Sequence, residues 1–193
     1  MNKVGLALVV LAASASGEDS RRITVITANY AQAPDELLSE ARAAAGEIFA
    51  EAGVEVRWLT LEEADRCAGC TSQLGRSTFY LRIVPNSMIS SIAVGHDYLG
   101  YSIVPAGGAP GYIAGAYFER VKELAKPLGC KASLLLGYVI AHELGHLLLG
   151  AGSHARSGVM SYPVEGEHMR LAAQGRLNFN RAQAERLRRN PGN

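Results

Sequence analysis

His142-Glu143-Leu144-Gly145-His146 lies inside the apolar run Leu134 to Leu149 and decides how the rest of the chain is read. On a helix, side chains four residues apart stand one above the other on the same face. The imidazoles of His142 and His146 can therefore reach a single metal ion. Glu143 follows the first histidine and points to the neighbouring flank, where a carboxylate can take a proton from a metal-bound water without binding the ion. The spacing is that of two zinc ligands with a base between them.

The next residues extend the pattern. Leu147-Leu148-Leu149-Gly150-Ala151-Gly152-Ser153-His154 carries two glycines suited to a helix C-terminus, where a positive φ lets the chain reverse. That reversal can return His154 toward the helix as a third ligand. Three protein ligands leave a fourth position open, as catalytic zinc sites require. Downstream, Ser157-Gly158-Val159-Met160-Ser161-Tyr162-Pro163 reads as a tight turn bearing a methionine.

This stretch resembles the metzincin clan of zinc endopeptidases, whose pattern is H-E-x-x-H-x-x-G-x-x-H followed by a Met-turn. Leu149 occupies the pattern's glycine position, with Gly150 one residue later, and His154 comes two residues after the expected third histidine. The extended form is similar to a group of secreted bacterial metzincin-like proteins, and specific identity covers about residues 138–163. The resemblance implies an α+β zincin fold. Its parts would be a twisted mixed sheet, a backing helix, an active-site helix, a Met-turn and a C-terminal helix.

It also implies Zn2+ held by His142, His146 and His154, with Glu143 as general base and then acid, and Met160 as the hydrophobic floor. Tyr162 matches a position where some metzincins place a tyrosine near the metal. A phenol there can ligate the ion or hydrogen-bond an oxyanion; a packed aromatic beside Pro163 is the alternative. The implied activity is hydrolysis of peptide bonds by Glu143-assisted attack of a zinc-bound water. Two other classes are an inactive zincin-fold protein that binds a peptide or partner, and a structural zinc domain with a fourth protein ligand.

His96 reads as a loop histidine. His168 could replace His154 as third ligand, as could Glu165 or Glu167; a carboxylate there would make the site gluzincin-like, but in gluzincins that glutamate sits on a second helix, and Gly166 interrupts the segment here. His154 is preferred.

At 193 residues, 48% hydrophobic and 19% charged, the chain has the length and composition of one soluble domain, which the resemblance makes a metzincin-like catalytic domain over 16–193. Residues 1–15 read as a secretory signal: Lys3, an apolar stretch from Val4 to Ala13, and small residues for cleavage after Ala15. The stretch is short for a bilayer span, and no cysteine offers a lipid anchor, so a secreted or periplasmic protein without a stable membrane anchor is expected. Only Ser16 to Arg22 would then precede the first strand, too little for a folded inhibitory segment.

Without Lys3, basic and acidic residues balance at 18 each. Nothing in that balance points to nucleic acid; the expected partner is a peptide or protein substrate. Cys67, Cys70 and Cys130 read as one disulfide and one thiol, with the pairing open.

Elsewhere the pattern predicts strands at 23–27, 54–58 and 79–84, and short strands near 100–103 and 112–117. Helices are expected from Ala33 to about Ala52, Phe118 to Lys126, Lys131 to Leu149, and from Asn180 onward. Residues 60–76 read as a cysteine-bearing loop. Gly107 to Gly111 reads as a turn rather than a phosphate loop. In metzincin-like folds the edge strand before the active-site helix lines the cleft and pairs with substrate, and by the resemblance Tyr112 to Tyr117 could be that strand; an ordinary inner strand is the alternative.

Overall fold

The computed structural model describes residues 21–74, 76–88, 98–105, 111–150, 152–162 and 166–189. The proposed signal, His96, Gly107 to Pro110 and Glu165 lie outside them. The chain opens with β1 (Arg21–Asn29), α1 (Asp35–Glu51) and β2 (Val54–Thr60), a parallel pair joined by a crossover helix. There follow α2 (Leu61–Asp65), β3 (Thr78–Val84), β4 (Gly100–Ile103), β5 (Ile113–Tyr117), α3 (Phe118–Ala125) and α4 (Ala132–Leu149). Helices α5 (Gly166–Ala173) and α6 (Arg181–Arg189) complete the described chain.

The five strands form one mixed sheet in the order β2-β1-β3-β5-β4. All neighbours are parallel except β4, which runs antiparallel to β5 with Gly100 opposite Ala116 and Ile103 opposite Ile113. This corrects the expected edge strand. Residues 113–117 are enclosed between β3 and β4, and Gly100–Ile103 holds the edge. Burial agrees: Ala114, Ala116 and Tyr117 are buried, whereas Ile103 is exposed.

Side chains alternate across a strand, so one face of β1, β3 and β5 offers Ile23, Val25, Phe79, Leu81, Ile83, Ala114 and Ala116 to the main core. Helices α1 and α4 pack there. From Leu135 to Leu149 every residue of α4 except His146 is buried. By length and composition α4 could cross a membrane, but 83% of it is buried inside the fold, which accounts for its apolar character. On the opposite face Ile26 and Leu59 form a smaller cluster with Ala64 of α2, flanked by Cys70 and Tyr80.

Helix α2 corrects the reading of residues 60–76 as loop throughout. Thr60 and Glu63 form a capping box: Thr60 N donates to Glu63 Oε2 at 2.7 Å, and Glu63 N donates to Thr60 Oγ1 at 3.2 Å. Thr-Leu-Glu-Glu carries that signature in plain sight. Cys67 and Cys70 are disulfide-bonded and Cys130 is the half-buried thiol, which settles the pairing. Helix α5 begins at the glycine expected to interrupt it.

Helix α6 ties the layers together. Arg186 donates to the Leu149 carbonyl at 2.6 Å and Arg188 to the Ala52 carbonyl at 3.3 Å. Cationic donors thus meet the C-terminal carbonyls of α4 and α1, which lack partners within their helices. At the other end of α6, Asn180 accepts from Gln183 N at 2.9 Å and Gln183 accepts from Asn180 N at 3.0 Å, the expected cap.

Candidate metal centre

One helical turn separates His142 from His146, and their Nε2 atoms lie 3.2 Å apart. After Leu149 the chain reverses through Gly150 at φ 91° and Gly152 at φ 73°. A Cβ at either glycine would meet nothing within 4 Å, so backbone conformation, not space, calls for glycine there. The reversal brings His154 Nε2 to 3.1 Å from His146 Nε2. All three ligating nitrogens lie within 4.8 Å of one another, and the set could hold a metal ion. His142 is buried, His146 half-buried and His154 exposed, so the group opens to solvent on the His154 side.

The outward nitrogens are also engaged. His142 Nδ1 lies 2.8 Å from the Val159 carbonyl. A carbonyl only accepts, so the proton sits on Nδ1 and the Nε2 lone pair faces the group. Ser153 Oγ lies 3.0 Å from His146 Nδ1. The His154 ring stacks on Tyr162 at 4.7 Å between centroids and 13° between planes.

The segment behind the site is pinned by the entry to α6. Val159 N donates to Asn178 O at 2.9 Å and Asn180 Nδ2 donates to Ser157 O at 3.2 Å. Gly158, at φ 82°, passes so close that a Cβ would lie 2.8 Å from Asn180 N. Ala155 N closes the loop onto Met160 O at 2.8 Å. Met160 is fully buried with its sulfur against Gly145, where any Cβ would collide with it and stand 3.2 Å from the Phe179 ring. The helical glycine between the histidines makes room for that methionine.

Glu143 is 8% exposed and faces β4. A Cβ on Gly100 would lie 2.7 Å from its Cγ and 2.8 Å from Oε1, so the bare strand backbone lets the carboxyl fit. Burial pushes the Glu143 carboxyl up to about 7, opposed by a hydrogen bond from Ser102. A buried carboxyl poised near neutrality suits proton transfer. Burial likewise lowers His142 to about 4, against the Val159 hydrogen bond. His146 falls to about 4 through burial and its histidine neighbours, and burial lowers His154 as well. The rings are therefore neutral at physiological pH, as metal ligands must be.

These shifts give the metal-free protein a signed pH dependence. Unfolded histidine titrates at 6.5 and unfolded glutamate at 4.5. Between those values His142 and His146 each take up a proton on unfolding, whereas Glu143 releases one. The unfolded chain then binds about one proton more, so stability rises with pH across that window. Above it only Glu143 still differs, and the slope reverses weakly up to about 7. We expect the Tm of chelator-treated protein to be lower at about pH 5 than at about pH 6.5. A flat or inverted dependence would mean that the two rings are not buried in the neutral form.

The structure brings His142, Glu143, His146, His154, Met160 and Tyr162 together. His168 sits on α5 and does not join the histidine group; among the described residues no other set of His, Cys, Asp or Glu side chains makes one. Tyr162 is 54% exposed yet lies against His154, so it is neither a remote nor a buried aromatic. Sequence reasoning missed Ser153, Ser102, Gly100 and the Val159 carbonyl. Only Ser153, directly before His154, had a local signal.

The sequence matches no protein-family model and no curated protein. Among solved structures the chain is similar to archaemetzincin from Methanopyrus kandleri, with 20% identity and a TM-score of 0.49. The match covers 90% of this chain and 96% of that one. The chemistry of the site follows from this chain's own residues.

Proposed function

We propose that the chain is an exported zinc-dependent endopeptidase of metzincin type, with one catalytic domain over residues 16–193. The observation that carries this reading is the convergence of the His142, His146 and His154 Nε2 atoms within 4.8 Å, with buried Glu143 on the same helix. The donor set fits zinc: three neutral imidazoles suit a borderline-soft ion and leave one position open. No fourth His, Cys, Asp or Glu among the described residues joins them, which favours catalysis over a structural site.

When bound, zinc would supply Lewis-acid polarisation of the scissile carbonyl and raise the acidity of water. Glu143 accepts the proton of the attacking water and delivers it to the leaving amine. Tyr162, beside His154, offers its phenol to the oxyanion that develops. Met160 floors the site. Strand β4, last in the sheet among the described residues, is the strand to which an extended peptide would add.

The apolar stretch before Ala15 supports export to the periplasm or medium, and the balanced charge supports a peptide or protein substrate over nucleic acid. The test is the metal content of purified mature protein together with turnover of a peptide library. Wild type and His168→Ala should each carry one zinc, and His154→Ala should lose it. Loss in His168→Ala instead would reassign the third ligand. A wild-type protein that takes up no zinc when it is supplied would end the peptidase reading.

A further inference from the structure

We propose that Ser153 is a positioning residue for the metal: its hydroxyl accepts the Nδ1–H of His146 and so turns that ring's Nε2 lone pair toward the ion. The inference rests on the zinc reading above. A neutral imidazole carries one proton, so Nε2 is free to bind only when that proton sits on Nδ1. An Nδ1–H pointing into protein without an acceptor costs stability in the bound form. His142 solves this with the Val159 carbonyl at 2.8 Å. His146 solves it with Ser153 Oγ at 3.0 Å, and Ser153 is 8% exposed, so bulk water is a poor substitute.

The two supports differ in kind. A carbonyl enforces one tautomer, whereas a hydroxyl can turn its proton and serve either. Removing the hydroxyl therefore leaves the His146 ring with only its backbone hydrogen bond at Gly150. Placement adds a second reason. Ser153 immediately precedes His154, so the reversal at Gly150 and Gly152 delivers the third ligand and the support for the second together. Seven residues, Leu147 to Ser153, separate His146 from His154, two more than in the pattern the sequence resembles. The longer link has room to turn a side chain back under the helix end.

The test is zinc affinity measured by chelator competition, with turnover not required. Ser153→Ala should weaken zinc binding by about 10- to 100-fold, the usual effect of losing a hydrogen-bond partner behind a ligating histidine. Ser153→Thr keeps the hydroxyl and should hold zinc nearly as wild type does. Ser153→Val, with the same branching and no hydroxyl, should fall with alanine. This pair isolates the hydroxyl should alanine disturb folding, which circular dichroism of the metal-free forms reveals.

Ser157→Ala, an exposed serine of the neighbouring loop, should leave affinity unchanged. In zinc-loaded protein, nitrogen NMR should find His146 protonated at Nδ1, with faster exchange of that proton in Ser153→Ala. Wild-type affinity in folded Ser153→Ala, or equal affinities for the Thr and Val variants, overturns the proposal. Failure of wild type itself to bind zinc overturns the functional reading and this inference with it.

Discussion

Glu143→Gln is expected to keep its full zinc content and to lose about a hundred- to ten-thousand-fold in kcat/KM for peptide hydrolysis. Glutamine has the shape to fill the space between α4 and Gly100, where a Cβ would already lie 2.7 Å from the Glu143 chain. It can still meet Ser102, whose hydrogen bond to the carboxyl needs only an acceptor. What it cannot do is accept a proton. The histidine group does not include Glu143, so metal retention should be indifferent to the change. At about 1.4 kcal/mol per decade the loss amounts to roughly 3 to 6 kcal/mol of transition-state stabilisation. Zinc analysis and hydrolysis of a quenched-fluorescent peptide check the two halves separately. Sustained turnover would remove Glu143 from proton transfer, and loss of zinc would place it among the ligands.

The second large effect concerns the frame that carries the site. Helices α1 and α4 pack tightly at Gly137, where a Cβ would lie 2.7 Å from Ala44 Cβ and 2.8 Å from the Ala41 carbonyl oxygen. In an open helix, glycine to alanine stabilises by about 1 kcal/mol. Here the sign should reverse, because the obstacle is backbone and cannot rotate away.

Gly137→Leu should be worse, costing about 3 kcal/mol or more as the two helices are forced apart. His142 and Glu143 lie within two turns of Gly137 on the same helix, so zinc affinity should fall along with the midpoint of urea unfolding. A Gly137→Ala protein more stable than wild type would show that the helices do not meet as closely as described.

Much of the fold was legible because its signals are local. Pro34 with Asp35 and Glu36 announces α1, and alternation in Val54-Glu55-Val56-Arg57-Trp58 announces β2. The two short strands near Gly100 and Ile113 were legible, but their order was not. Strand order depends on which hydrogen-bond edges meet, and residues 100–103 and 113–117 each have the composition of either place. Helix α2 was overlooked although Thr60 and Glu63 signal it, because cysteines and glycine further along suggested a loop. The C-terminal serine and glycine turns hid how tightly Gly158 packs against Asn178 and Asn180.

The sequence by itself determined that His142 and His146 share a face with Glu143 on the flank, since 3.6 residues per turn is a property of the backbone alone. It also marked where the chain can reverse after Leu149, where two glycines free φ. Only the tertiary structure decided that Val159 and Ser153 hold the outward nitrogens of the helical pair. It likewise decided that Gly100 yields space to Glu143 and that Tyr162 covers His154. Two of those contacts, Gly100 with Glu143 and Val159 with His142, join residues well apart in the chain, and the other two depend on the path of the loop after α4; none follows from helical spacing.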